Sequence, residues 1–139
     1  MSDTEHRRQN LDRLRSVFEK MSTGKSVATV ADITDDFRFE LPYGPGRQAI
    51  NVEGKDAWKQ MNEMTWGAFS RFALEITKVH DMLNPDEFVL EYRSDGEVKA
   101  TGKPYLNRYI GYFRLAGGKI CEWREFHNPE VVSEAMTAD

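Results

Sequence analysis

Gly118-Lys119-Ile120-Cys121-Glu122-Trp123-Arg124-Glu125-Phe126-His127-Asn128-Pro129 reads as one β-strand, opened by a Gly-Gly turn and closed by Asn-Pro. Strand side chains alternate between faces, so Cys121, Trp123, Glu125 and His127 are predicted on one side. Ile120, Glu122, Arg124 and Phe126 then share the other side. An indole, a carboxyl group and an imidazole in one row offer a stacking surface and two proton-transfer groups, provided that face closes over a pocket.

Three further strands precede this one, at about Phe72–His80, Glu87–Ala100 and Tyr105–Leu115. Asn84-Pro85-Asp86, Gly102-Lys103-Pro104 and Ala116-Gly117-Gly118 separate them as turns. Short turns make antiparallel neighbours. Alternation puts Phe72, Leu74 and Ile76, then Phe88, Leu90 and Tyr92, then Asn107, Tyr109 and Phe113 on the inner face. Leu106, Arg108, Ile110, Tyr112 and Arg114 fall outside. That outer row mixes apolar and charged residues and suits a homodimer contact with cross-strand charge pairs. Glu91 and Glu40 also fall outside, Glu91 as a structural partner for Arg108 or Arg93.

The N-terminal half is helical. Leu11, Leu14, Phe18 and Met21 recur at spacings of three and four within a helix from about Asp3 to Met21, stopped by Ser22-Thr23-Gly24. A short helix is expected over Lys25–Ala31. Phe37, Phe39, Leu41 and Tyr43 alternate as the apolar face of a strand, Gly44-Pro45-Gly46 turns it, and a return strand lies near Gln48–Val52. Gly54 opens a third helix that buries Ala57, Trp58, Met61 and Met64. Helices first and a meander afterwards predict an α+β domain, with N-terminal helices packed on the concave face of a curved antiparallel sheet.

The 139 residues favour one domain, with its core over about 11–129. A 40% hydrophobic content supports a buried core, and a net charge of −4 with interspersed signs gives no basic stripe for nucleic acid. One cysteine excludes an intrachain disulfide and fits a reducing compartment. No apolar run approaches a membrane span, and the polar N-terminus is not a secretory signal, so a cytoplasmic protein is expected. His6, His80 and His127 show no metal-ligand spacing, and no metal is expected.

Several stretches together resemble the SnoaL-like polyketide cyclases of the nuclear-transport-factor-two-like (ketosteroid isomerase-like) superfamily. They are Phe39-Glu40-Leu41-Pro42-Tyr43-Gly44-Pro45, Gly54, Thr101-Gly102-Lys103-Pro104-Tyr105-Leu106-Asn107-Arg108-Tyr109, and the closing strand. The resemblance implies a cone-shaped, cystatin-like sheet, a small-molecule pocket, a homodimer through the outer sheet face, and no cofactor. The Trp-Arg-acid order of the last strand is also similar to limonene epoxide hydrolases, in which the acid matching Glu125 is catalytic. Their Arg-x-Asp pair has no counterpart in Leu90-Glu91-Tyr92-Arg93-Ser94. Arg124-Glu125-Phe126-x-Asn128-Pro129 resembles phenazine-biosynthesis relatives, whose early third-helix His is matched here by Lys55.

Glu125 is the leading candidate for a general acid/base, because burial beside apolar groups raises a carboxyl pKa toward neutrality. His127 is its candidate partner. Tyr43, Asn107 and Tyr109 are candidates to orient a carbonyl or enol oxygen. Trp58 and Tyr92 are candidate pocket walls, and Trp123 could stack on a flat substrate. The expected function is isomerisation, cyclisation or dehydration next to a carbonyl of an apolar, ring-containing substrate. A non-catalytic binder of an apolar ligand is the alternative, and epoxide hydrolysis a weaker one.

Overall fold

Six strands form one sheet: β1 (Ile33–Leu41), β2 (Ile50–Glu53), β3 (Phe69–Asp81), β4 (Glu87–Val98), β5 (Pro104–Ala116) and β6 (Lys119–His127). Their spatial order is β2-β1-β6-β5-β4-β3 in this computed structural model, which describes residues Met1–Asp139. Two long helices, α1 (Asp3–Ser22) and α2 (Gly54–Gly67), pack on the inner face, with a 3₁₀ helix at Ser26–Asp32 and a C-terminal α3 (Pro129–Met136). The architecture is the α+β layering expected from the sequence. The short second helix proves to be 3₁₀.

The meander pairs antiparallel throughout, from β3 to β6. Its last turn is built by Gly117 and Gly118, with φ of 58° and 78°. Two consecutive positive φ angles match the right-handed twist of the flanking strands, and glycine takes them without a Cβ clash. β1 pairs antiparallel with β2 but parallel with β6, Phe39 facing Trp123 in register. One seam of the sheet is therefore parallel. α2 carries the chain from the β2 edge to β3 at the far edge, and the meander walks back until β6 meets β1.

α1 buries Leu14, Val17, Phe18 and Met21 against the sheet. The Phe18 ring meets Tyr92 edge-on at 4.8 Å and stacks on Trp123 at 5.9 Å between centroids. The Ser2 side chain caps α1 by accepting from the Glu5 amide. From α2, Trp58 is fully buried against Phe37 and Phe39, and its Nε1 donates to the buried Thr29 Oγ1 at 2.9 Å. The hydroxyl is what lets the indole N–H leave water without an unmet donor.

Two corrections concern single side chains on the strands. The β5–β6 register slips between Arg114 and Leu115, so β6 carries a bulge at Cys121. Ile120 takes the core position, and Cys121 turns toward the outer groove, donating from Sγ to the Arg114 carbonyl at 3.3 Å. One extra residue breaks simple alternation, which is why Cys121 does not share a face with Trp123. Glu91 lies on the outer face as expected, but its partner is His80, with Nε2 and Oε2 2.6 Å apart. Arg93 is held by Glu75 instead.

The outer face carries its charges in pairs, among them Arg114–Glu122 at 3.0 Å and Arg124–Glu40 at 3.2 Å. Between them stand Leu106 and Ile110, 60% and 50% exposed. No helix is long and apolar enough to cross a membrane.

Candidate active site

The inner residues of β5 and β6, together with α2, α3 and β3, enclose a cavity of about 380 Å³. That is the size range of small-molecule pockets. Of its 21 lining residues, 17 are hydrophobic. Trp58, Trp66 and Trp123 all line it, with Phe69 and Phe72. Met64, Met136 and Ile50 also line it and are exposed, so they mark its open rim. The ionisable side chains reaching this space are Glu125, His127, Tyr105 and Tyr109.

Glu125 projects inward from β6 into the cavity. Its Oε1 accepts the hydroxyl proton of Tyr92 on β4, and that hydroxyl oxygen accepts from Trp123 Nε1 at 3.2 Å. Burial raises the carboxyl pKa to about 7, the Tyr92 donation opposing part of the rise. Burial also raises the Tyr92 pKa, with the Glu125 charge adding to it, so Tyr92 stays a phenol and a donor. With Oε1 occupied as an acceptor, the titrating proton of Glu125 belongs on Oε2, which has no protein partner. Near neutral pH this carboxyl can give or take a proton there.

Gly111 makes that arrangement possible. It lies beside Glu125 on β6 and Leu90 on β4 in register. A Cβ at Gly111 would stand 2.8 Å from the Tyr92 hydroxyl oxygen and 2.8 Å from a Phe113 ring carbon. The missing side chain is the room into which Tyr92 reaches. The Tyr92 ring is held further by Tyr109, stacked at 5.0 Å between centroids and 8° between planes. Tyr92 is thus a positioning residue behind the carboxyl group and does not itself line the cavity.

A second polar chain crosses the same end of the pocket. Asn107 Nδ2 donates to the Tyr105 hydroxyl at 2.9 Å, the Tyr105 and Tyr109 hydroxyls are 2.7 Å apart, and Tyr109 donates to Ser94 Oγ at 2.9 Å. If Tyr109 donates to Ser94, Tyr105 donates to Tyr109, and both phenol protons are spent inside the protein. Burial raises both phenol pKa values and keeps them neutral. Tyr109 therefore forms a wall of the pocket. Asn107 is buried behind it and also donates to the Asn128 carbonyl at 3.0 Å, tying β5 to the start of α3. It does not line the cavity.

His127 lines the cavity two residues beyond Glu125, with no hydrogen bond between them. Its Nδ1 is sealed from solvent and has no partner. A buried N–H without an acceptor is rarer and costlier than a bare lone pair, which favours the proton on Nε2. Adding a second proton at Nδ1 would strand it, in keeping with a pKa lowered by burial. His127 is thus neutral and works separately from Glu125.

Tyr43 is the sequence candidate that the fold moves away. β1 ends at Leu41, so alternation no longer applies, and Tyr43 is 65% exposed beside Phe126 outside the cavity. Lys55 also lies outside, 3.3 Å from Asp35. Trp58 and Trp123 line the pocket. Sequence reasoning missed Tyr105, Ser94 and the α3 residues Val132 and Met136. Tyr105 shares the alternation of Asn107 and Tyr109 and was legible by that signal. No group of three or more His, Cys, Asp or Glu side chains is placed to hold a metal ion.

Comparison with known proteins agrees with this geometry. The family model described as a SnoaL-like domain matches residues 8–123. The Bacillus subtilis protein YesE, itself uncharacterised, is 30% identical over 98 residues, 70% of this chain and 67% of that protein. The phenazine biosynthesis-related protein PhzB2 of Pseudomonas aeruginosa has the same fold, with a TM-score of 0.82 at 20% identity over 99% of this chain and 90% of that one. A Bacillus subtilis protein named as a candidate isomerase gives a TM-score of 0.83 at 25% identity, over 97% of this chain and 95% of that one.

Proposed function

The chain belongs to the SnoaL-like domain family, and from that premise we propose that it is a small-molecule enzyme that moves protons with its own side chains. The reaction is isomerisation, cyclisation or dehydration next to a carbonyl, on an apolar ring-containing substrate. One observation carries the reading: a carboxyl group with a pKa raised to about 7 lines a largely apolar cavity while Tyr92 fixes its other oxygen. Glu125 takes a proton from the carbon next to the carbonyl onto Oε2 and returns it elsewhere on the same framework. His127, neutral and within the cavity, is the candidate donor to the developing enolate oxygen. Trp123, packed by Phe18, Phe39, Trp58 and Phe113, contributes a rigid edge of the cavity wall. The likeness to a candidate isomerase at 25% identity supports the reaction class.

Glu125→Gln tests this reading. The side chain is nearly isosteric and keeps an acceptor for Tyr92, so the fold is retained. Turnover of a responsive ketone is expected to fall by about 10²–10⁴-fold, the usual contribution of a positioned proton-transfer group. Unchanged turnover overturns the assignment. Epoxide hydrolysis receives less support, since the inner face of β4 offers Leu90 and Tyr92 where that reaction needs an Arg and an Asp. We also infer a homodimer through the outer sheet face, supported by the exposed Leu106 and Ile110 among paired charges.

A further inference from the structure

The chain holds 19 lysine and arginine residues, and none lines the cavity. The arginines of the sheet stand on its outer face, where Arg93, Arg114 and Arg124 are each engaged by a glutamate. No titratable side chain enters the cavity from α1, α2, α3 or β3. From β5 come two neutral phenols whose protons are already committed to Tyr109 and Ser94. From β4, Tyr92 stands behind Glu125 and donates to it. From β6 come Glu125 and the neutral His127. The cavity therefore has one side chain able to carry charge near neutral pH, and that charge is negative.

We propose that this site takes ring compounds that bear a carbonyl or hydroxyl oxygen and carry no negative charge, and that Glu125 acts as a charge filter against carboxylates and phosphates. The physical ground is the absence of any cation to balance a second anion in an apolar enclosure. A buried anion without a partner is among the least favourable arrangements a protein can hold. Polar atoms gather at the β5–β6 end, at Glu125, His127 and the tyrosine pair, while Met64, Met136 and Ile50 form the rim. An entering ligand thus leads with its oxygen-bearing edge and leaves its hydrocarbon edge toward the methionines. The inference rests on the proton-transfer reading of Glu125 and adds the substrate's charge to it.

Calorimetric titration of the intact protein with 2-acetylnaphthalene and with 2-naphthoate tests the filter, since the two probes share one ring system and differ in charge. At about pH 8, where a carboxyl with a pKa near 7 is ionised, the ketone is expected to bind and the carboxylate to bind at least about tenfold more weakly. At about pH 5.5 Glu125 is protonated, and the gap should narrow because the carboxylate then gains affinity while the ketone does not. Glu125→Gln should narrow the gap in the same way at about pH 8. A carboxylate that binds as tightly as the ketone at the higher pH overturns the proposal, as does a ketone that does not bind. A gap that survives both protonation and Glu125→Gln overturns the assignment of the filter to Glu125. None of these binding outcomes depends on turnover. An anion-accepting pocket whose turnover still needs Glu125 would sink the charge filter and leave the proton-transfer reading standing.

Discussion

Tyr92 donates its hydroxyl proton to Glu125 from a position that exists only because residue 111 has no side chain. The same hydroxyl oxygen accepts from Trp123 Nε1, so three residues from two strands form one chain ending at the carboxyl group. Removing that hydroxyl should therefore act on Glu125 from behind the cavity wall.

In Tyr92→Phe, the donation that lowers the Glu125 pKa is lost while the burial that raises it remains. The carboxyl pKa should move above its present value of about 7. If the ionised form is the base, the ascending limb of the pH–rate profile should shift to higher pH. Trp123 Nε1 also loses its acceptor, at a cost of about 1–3 kcal/mol in stability, readable by denaturant unfolding. A profile that does not move means Tyr92 does not set the carboxyl's titration.

Gly111→Ala should reproduce much of that phenotype by a different route. The new methyl group would meet both the Tyr92 hydroxyl and the Phe113 ring at 2.8 Å, so Tyr92 must shift. Overpacking of this kind costs about 1–3 kcal/mol. The expected result is lower stability together with a displaced pH–rate limb. Lower stability with an unchanged limb would separate Gly111 from the carboxyl group.

Glu125 should also leave a signature in the pH dependence of folding. Its pKa is raised from 4.5 to about 7, so the folded state holds the proton more tightly than the unfolded chain. That contribution is complete below about pH 4.5 and is lost as pH rises toward about 7. The total is at most about 3 kcal/mol, from 1.36 kcal/mol per pKa unit. Glu125→Gln cannot titrate, so wild type should lose stability relative to the variant as pH rises from about 4.5 to about 7. Parallel stability curves would mean that the carboxyl is not perturbed.

The proposed homodimer places Ile110 inside the contact. Ile110→Glu should give monomers in sedimentation or fail to fold. Wild type sedimenting as a monomer at micromolar concentration rules the contact out.

Cys121 should react slowly with thiol reagents in the folded state. It is 6% exposed, and burial raises its thiol pKa, with Arg114 opposing the rise. Labelling as fast as that of the unfolded chain would show that the bulge opens readily.

Much of this molecule was legible in its residues, for reasons that differ by element. β6 begins and ends where Gly-Gly and Asn-Pro place it, because both signals act through local backbone geometry. The inner and outer faces of β5 follow from alternation over an uninterrupted run. Cys121 escaped because a bulge is settled by pairing with β5, and no single-strand pattern records it. Tyr43 escaped because the strand stops at Leu41, and alternation was carried past its end. α3 was hidden by a double meaning. Asn128-Pro129 closes a strand, yet Asn128 Oδ1 also accepts from the Glu130 amide, and Pro129 is preset for a first helical position. The tyrosine chain and the Tyr92–Glu125 bond join residues far apart in sequence, so only folding could disclose that Tyr109 and Asn107 have their protons committed.

All three tryptophans of the chain line the one cavity, and each indole nitrogen is anchored to a different partner: Thr29, Asn62 or Tyr92. The protein consequently has no silent indole. Its entire indole emission, excited selectively over the five tyrosines, originates at the pocket wall, with no indole elsewhere to dilute a change. A non-absorbing cyclic ketone seated there should quench or shift the whole signal, and a compound that binds only the outer sheet face should leave it unaltered. The native chain is in this sense its own optical assay, and a library could be screened for occupants before any reaction is known.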